Sequence, residues 1–177
     1  MGTRNLVMLI DKEGQEKVKQ YGQWDGYPSG VGVGVLELLR NKELMSKLIL
    51  NLEKVRFIDV EGRDKDFVED YNSRSPKWSN ELDNRTNEQM NWFALFISRD
   101  LSEEVLKNIA ESSDSEIILK ECKNYDRIEW SYVINLKDNT LSVHSTVDKP
   151  AIKVYSLSDL PTNEKFISDL EDNEEGE

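Results

Sequence analysis

Residues 20–34 read QYGQWDGYPSGVGVG, with Trp24, Asp25, Tyr27, Pro28 and five glycines in fifteen positions. The approach, Lys17 to Trp24, alternates polar and apolar side chains and carries aromatics, the pattern of a strand. Asp25-Gly26 is a turn signal, because Asp hydrogen-bonds nearby backbone and Gly accepts positive φ. Pro28 fixes its own φ and pushes Tyr27 towards extended geometry. Beyond Gly30, Gly32 and Gly34, the run Val35-Leu36-Glu37-Leu38-Leu39-Arg40 switches to helical spacing. The stretch therefore predicts a strand, a glycine-rich turn and a helix start.

Such a junction can cradle an anion, since bare amides and the helix dipole converge on it. Trp24 and Tyr27 add faces for a planar group. The alternative is purely structural: the glycines let a loop pass close to a sheet, and Trp24 belongs to the core. The motif is neither a Walker-type loop, lacking Gly-Lys-Ser/Thr, nor a G-x-G-x-x-G fingerprint.

Working outward, Thr3 to Asp11 (TRNLVMLID) reads as a strand whose nearly continuous apolar residues predict cover on both faces. Residues 11–15 form the turn of a hairpin with the strand at 17–24. In an antiparallel pair the start of the first strand lies beside the end of the second. Arg4 and Asn5 are thus expected next to Trp24 and Asp25, with an Arg4–Asp25 ion pair preferred over an Arg4 that meets an anion.

Residues 35–58 read as a helix broken near Asn41, on the spacing of Leu38, Leu39, Met45, Leu48, Ile49, Leu52 and Val55. Residues 59–85 are polar and read as irregular, with a short helical piece at Phe67 to Tyr71 and Trp78 as an anchor or lid. Helical spacing returns over Thr86 to Ile97, where Trp92, Phe93 and Phe96 read as core. After a sharp turn at 98–100, Asp100-Leu-Ser-Glu103 resembles a helix cap. Ile117 to Lys120 is a short strand. Residues 128–135 and 140–145 flank Leu136-Lys137-Asp138-Asn139 as a hairpin, with Trp130, Tyr132 and Ile134 on one face and Val133 on the other. Ala151 to Ser156 is a last strand, and Pro161-Thr162 opens a helix to Leu170. These elements predict one α+β domain over residues 1–170, an antiparallel sheet of N- and C-terminal hairpins packed on central helices. Residues 171–177 (EDNEEGE) form a disordered acidic tail.

With 35 acidic and 23 basic residues the net charge is -12, which argues against nonspecific nucleic-acid binding. The single Cys122 excludes an internal disulfide, suits a reducing cytosol and reads as a small packed residue. No apolar run reaches membrane-spanning length. The first residues suit neither a secretory signal nor myristoylation, Leu6 standing where Ser or Thr is required. A cytoplasmic protein without membrane contact or cofactor is expected.

The start MGTRNL, the segment QYGQWDGYPSG and the late EWSYVINL…NTLSVHS hairpin resemble a family of small proteins of phages, prophages and some fungi. Its members share an MGTR-type start, a WDGYP segment and a Trp/Tyr-rich hairpin. The match covers both ends of the chain and fades over 59–125. The resemblance implies a phage or mobile-element accessory protein, in a host cytoplasm if phage-encoded.

The element order also looks like an N-terminal-nucleophile hydrolase, the alternative layered αββα fold. Loss of Met1 would expose Gly2, which has no nucleophile, and Thr3 would need an extra cleavage. His144 has no evident Ser or Cys partner in the sequence, and no His/Cys metal cluster is visible. The expected function is therefore a non-enzymatic binder of a small anionic or nucleotide-like ligand, such as a counter-defence protein that sequesters a signal. The expected ligand-binding residues are Arg4, Asn5, Gln23, Trp24, Asp25, Tyr27, Ser29, Gly30, Gly32 and Gly34. The alternatives are an acidic protein-interaction module or nucleic-acid mimic that blocks a host protein, and a hydrolase. A homo-oligomer is compatible with each.

Overall fold

The computed structural model describes residues 2–58, 101–120, 127–146 and 149–171. The expectations for 59–100, for Cys122 and for the tail from 172 onwards lie outside the described residues. The fold is α+β: among the described residues, a five-stranded mixed sheet of N- and C-terminal strands with four helices packed against it.

The strands are β1 (Asn5–Ile10), β2 (Glu16–Gly22), β5 (Trp130–Asn135), β6 (Thr140–His144) and β7 (Lys153–Ser156), in spatial order β2-β1-β5-β6-β7. Between them in sequence, β3 (Val55–Ile58) and β4 (Ile117–Lys120) pair in parallel as a separate two-stranded ribbon. Both expected hairpins form. In the first, Asp11 accepts hydrogen bonds from the amides of Glu13 (3.0 Å) and Gln15 (2.7 Å), and Gly14 supplies a φ of 87°. The hairpins join through β1 and β5, which run parallel, Val7 opposite Tyr132 and Leu9 opposite Ile134. That join makes the sheet mixed: parallel neighbours require a long crossover, and the 119 residues between Ile10 and Trp130 provide it.

One face of the sheet carries Val7, Leu9, Val18, Tyr132, Ile134, Leu141, Val143 and Tyr155 into the core. Trp130, Tyr132 and Ile134 share this face, and Val133 points away, half-buried. On the far face Leu6 is buried, whereas Met8 and Ile10 are half-buried, so the apolar run of β1 has partial cover on its second side.

The helices among the described residues are α1 (Val33–Arg40), α2 (Lys42–Asn51), α3 (Glu104–Glu111) and α4 (Asn163–Glu171). The break between α1 and α2 falls at Asn41, whose side chain caps α2 by accepting from the Leu44 amide at 3.1 Å. The helix expected to reach residue 58 stops at Asn51. A tight turn over Leu52–Lys54 follows, and Val55–Ile58 is strand β3. Val55 and Ile58 are β-branched and Phe57 is aromatic, residues that favour a strand once β4 offers a partner. Asp100 lies outside the described residues; the residue before α3 is Glu103, which makes no capping side-chain bond. In α4, Phe166 and Leu170 are fully buried, and Thr162 accepts from the Lys165 amide at 3.3 Å. Glu171, the first residue of the expected tail, closes this helix. No helix among the described residues is long and apolar enough to cross a membrane.

Candidate functional site

β2 ends at Gly22 because the chain there passes against Asn5 and Ser102. A β-carbon on Gly22 would lie 2.6 Å from Asn5 Nδ2 and would overlap the Ser102 hydroxyl. Asn5 is fully buried; its amide donates to the Trp24 carbonyl at 3.2 Å, and its Oδ1 makes no hydrogen bond among the described residues. The chain then turns at Asp25, φ 51°, a left-handed conformation that Asp tolerates better than most residues. Asp25 Oδ1 accepts from the Tyr27 hydroxyl at 3.1 Å. That bond, the carboxylate's charge and slight burial raise the pKa of the hydroxyl.

Gly26 is the anchor. Its amide donates to the Thr3 carbonyl at 3.0 Å, and its carbonyl accepts from the buried Tyr132 hydroxyl at 2.8 Å. Burial, with the charge of Glu103, holds the Tyr132 pKa well above its ordinary value. Pro28–Gly32 is a kinked turn that runs into α1, with Gly30 outside helical geometry (φ -101°, ψ -107°), and is entered from an extended Tyr27 (ψ 163°) as Pro28 requires.

The amides of this turn bond within the loop. Gly30 donates to the Tyr27 carbonyl at 3.0 Å, Val31 to Asp25 at 2.9 Å and Gly32 to Tyr27 at 3.4 Å. The glycines are close-packing positions. A β-carbon on Gly32 would lie 2.9 Å from the Phe166 ring and 3.0 Å from the Tyr132 ring, and one on Gly34 2.5 Å from the Glu103 carboxylate. That carboxyl is half-buried, and burial raises its pKa, with Glu104 and Asp25 adding in the same direction.

Arg4 does not pair with Asp25. Its Nη2 lies 3.1 Å from Glu129 Oε1, which also receives the Arg4 Nε and backbone amide at 3.2 Å each. The backbone explains the choice: the amides of Glu129 and Trp130 donate to the Arg4 carbonyl, so the β1–β5 join puts Glu129 beside Arg4. Gln23 accepts from the Tyr21 hydroxyl at 2.7 Å.

The loop thus has two sides. Gly22, Gly26, Pro28, Val31 and Gly32 are buried, while Trp24, Asp25, Tyr27 and Ser29 are exposed. Trp24 is 55% exposed and Tyr27 41%, so Trp24 is not a core residue. Ser102 and Glu103, absent from the expected set, pack against the glycines; nothing local in the sequence marks them as partners of a loop some 70 residues away. His144 has a serine partner after all, Ser142, at 3.1 Å. Its signal was the spacing Ser-x-His on a strand, which places both side chains on one face.

Comparison with known protein families, with curated proteins and with solved structures finds no match to this chain.

Proposed function

We propose that this protein is a non-catalytic binder that recognises the planar part of a nucleotide-like ligand on the Trp24–Tyr27 face. The observation that carries this reading is the exposure of two aromatic side chains on a loop whose backbone is tied on its other side to Thr3, Asn5 and Tyr132. An aromatic face held on a fixed backbone loses little entropy on binding. Stacking a base on such a face contributes ~1–3 kcal/mol. The amides of Gly30, Val31 and Gly32 bond to loop carbonyls, that of Gly26 bonds to Thr3, and Arg4 is paired with Glu129, so the ring, not the phosphate, supplies the affinity. Given the resemblance to phage and prophage proteins, such a binder would sequester a signalling nucleotide of a host defence.

The test is calorimetric titration with nucleosides, their phosphates, cyclic dinucleotides and ADP-ribose derivatives. A nucleoside should bind about as well as its phosphate. Trp24→Ala should weaken binding at least about tenfold, in line with the loss of one stack, while its melting temperature stays near wild type because the ring is mostly exposed. If no member of the series binds the wild-type protein, the reading fails.

A second reading rests on the same two side chains. Trp and Tyr are the residue types that dominate protein interfaces, and a net charge of -12 suits a basic partner. A pull-down of a basic host protein that weakens with salt and with Trp24→Ala would favour it.

A further inference from the structure

The outer face of β6 carries a separate arrangement. Ser142 and His144 leave the strand on the side opposite Leu141 and Val143, which face the core. Ser142 Oγ lies 3.1 Å from His144 Nε2. His144 Nδ1 lies 3.0 Å from the Lys149 carbonyl oxygen. A carbonyl oxygen only accepts, so Nδ1 carries the proton of the neutral ring. Nε2 then presents a lone pair, and the Ser142 hydroxyl donates to it. Both side chains are half-buried, held in place and still open to a small reagent. A nucleophile, a base within hydrogen-bond reach and a group that orients the base are all present. The main-chain carbonyl of Lys149 stands where a triad has a carboxylate.

We propose that Ser142 is a base-activated nucleophile that accepts an acyl group from an activated ester. Ser142 Oγ forms a bond to the acyl carbon as its proton passes to His144 Nε2. The carbon–oxygen bond to the leaving group breaks, and the electron pair departs on that oxygen, which takes the proton from Nε2 unless it is stable as an anion. The product is an acyl-serine. β6 lies between β5 and β7 and is paired to both, so its own amides serve the ladders and do not form an oxyanion hole. The activation is then that of general-base catalysis alone, about 10²–10⁴-fold. One acylation per chain, rather than rapid turnover, is the expected outcome. This chemistry is independent of the ligand face at Trp24.

The test uses the full chain with two probes, p-nitrophenyl acetate and an alkyl fluorophosphonate. With the second, Oγ attacks phosphorus, fluoride leaves with its electron pair, and Nε2 takes the serine proton. The expected result is a burst of about one equivalent of p-nitrophenolate, as single acylation by a covalent nucleophile requires, and one phosphonate adduct, mapped by mass spectrometry to Ser142. Ser142→Ala should abolish that adduct. His144→Gln should slow it at least about 100-fold, the low end of general-base assistance. No adduct on the wild type, an adduct mapped elsewhere, or a Ser142 adduct whose rate His144→Gln leaves unchanged would overturn the proposal. The adduct map is read on the wild-type protein, so a poorly folding variant leaves the decision intact.

Discussion

Asp25, in the loop after β2, and Asn139, in the turn between β5 and β6, both hold the left-handed conformation, at φ 51° and 57°. Both reversals use short polar side chains bonded close by. Asp25 takes the Tyr27 hydroxyl; Asn135 accepts from the Asp138 amide at 3.0 Å and donates to its carboxylate at 2.8 Å. Here the likeness ends. The β5–β6 turn reaches the residues that close β7, through Asn139 to Ser156 and Ser158 and from the Leu157 amide to the Asn139 carbonyl, and the end of β1, through the Leu136 amide to the Ile10 carbonyl at 2.9 Å. The 22–34 loop is tied to Thr3, Asn5 and Tyr132, and its glycines pack against Ser102, Glu103 and Phe166. Similar local chemistry therefore produces a surface turn in one place and, in the other, an anchored loop with an aromatic outer face.

The strongest test of that contrast is Gly26→Ala. A β-carbon there would lie 2.7 Å from the Thr3 carbonyl oxygen and 2.8 Å from the Asn5 Cβ, and neither can move without shifting β1. A loss of about 3 kcal/mol is expected, the upper end of ordinary overpacking. Asn135→Ala, in the other reversal, removes a half-buried side chain bonded to Asp138 and should cost about 1 kcal/mol, the net worth of an ordinary hydrogen bond. Denaturant melts of both variants check this; equal losses would erase the distinction.

Tyr132→Phe comes next. It removes the donor to the Gly26 carbonyl and leaves a buried acceptor unpaired, which costs about 2 kcal/mol. A stability unchanged by this variant would show that the loop does not depend on the sheet for its anchorage.

Asp25→Ala and Asn139→Ala form a matched pair. Each puts a β-carbon residue without a helpful polar group into the left-handed region, at about 1 kcal/mol. The excess loss at one site over the other measures what surrounding structure adds to local turn chemistry. If Asn139→Ala proves the more costly, the surface turn is the more constrained of the two.

The smallest effect concerns Glu103 beside Gly34. Its pKa is raised from 4.5 by burial, so the folded state holds this proton more tightly than the unfolded chain does. Stability therefore falls as pH rises from about the unfolded value through the raised folded one, and the penalty is complete above that. Glu103→Gln should melt higher than wild type at neutral pH, with the gap closing as pH drops below the unfolded value. A gap that persists at acid pH would assign the gain to packing instead of charge.

The amino-acid sequence by itself determined the parts of this protein that follow from neighbours within a few positions. The two hairpins come from alternation and turn chemistry, Asp11 with Gly14 in one and Asn135, Asp138 and Asn139 in the other, the break at Asn41 from a cap, and the strand–turn–helix course of 17–40 from its glycines and Pro28. Tertiary structure decided what depends on partners far apart in the chain. It chose Glu129 over Asp25 for Arg4, because the parallel β1–β5 pairing brings residues 125 positions apart into hydrogen-bond reach. It turned Val55–Ile58 into a strand, because β4 offered a ladder that helical spacing cannot foresee. It faced Gly32 and Gly34 onto Phe166, Tyr132 and Glu103 and left Trp24 outside. A glycine or an aromatic looks the same in sequence whether it meets solvent or a side chain, since the contact surface exists only once distant elements have packed.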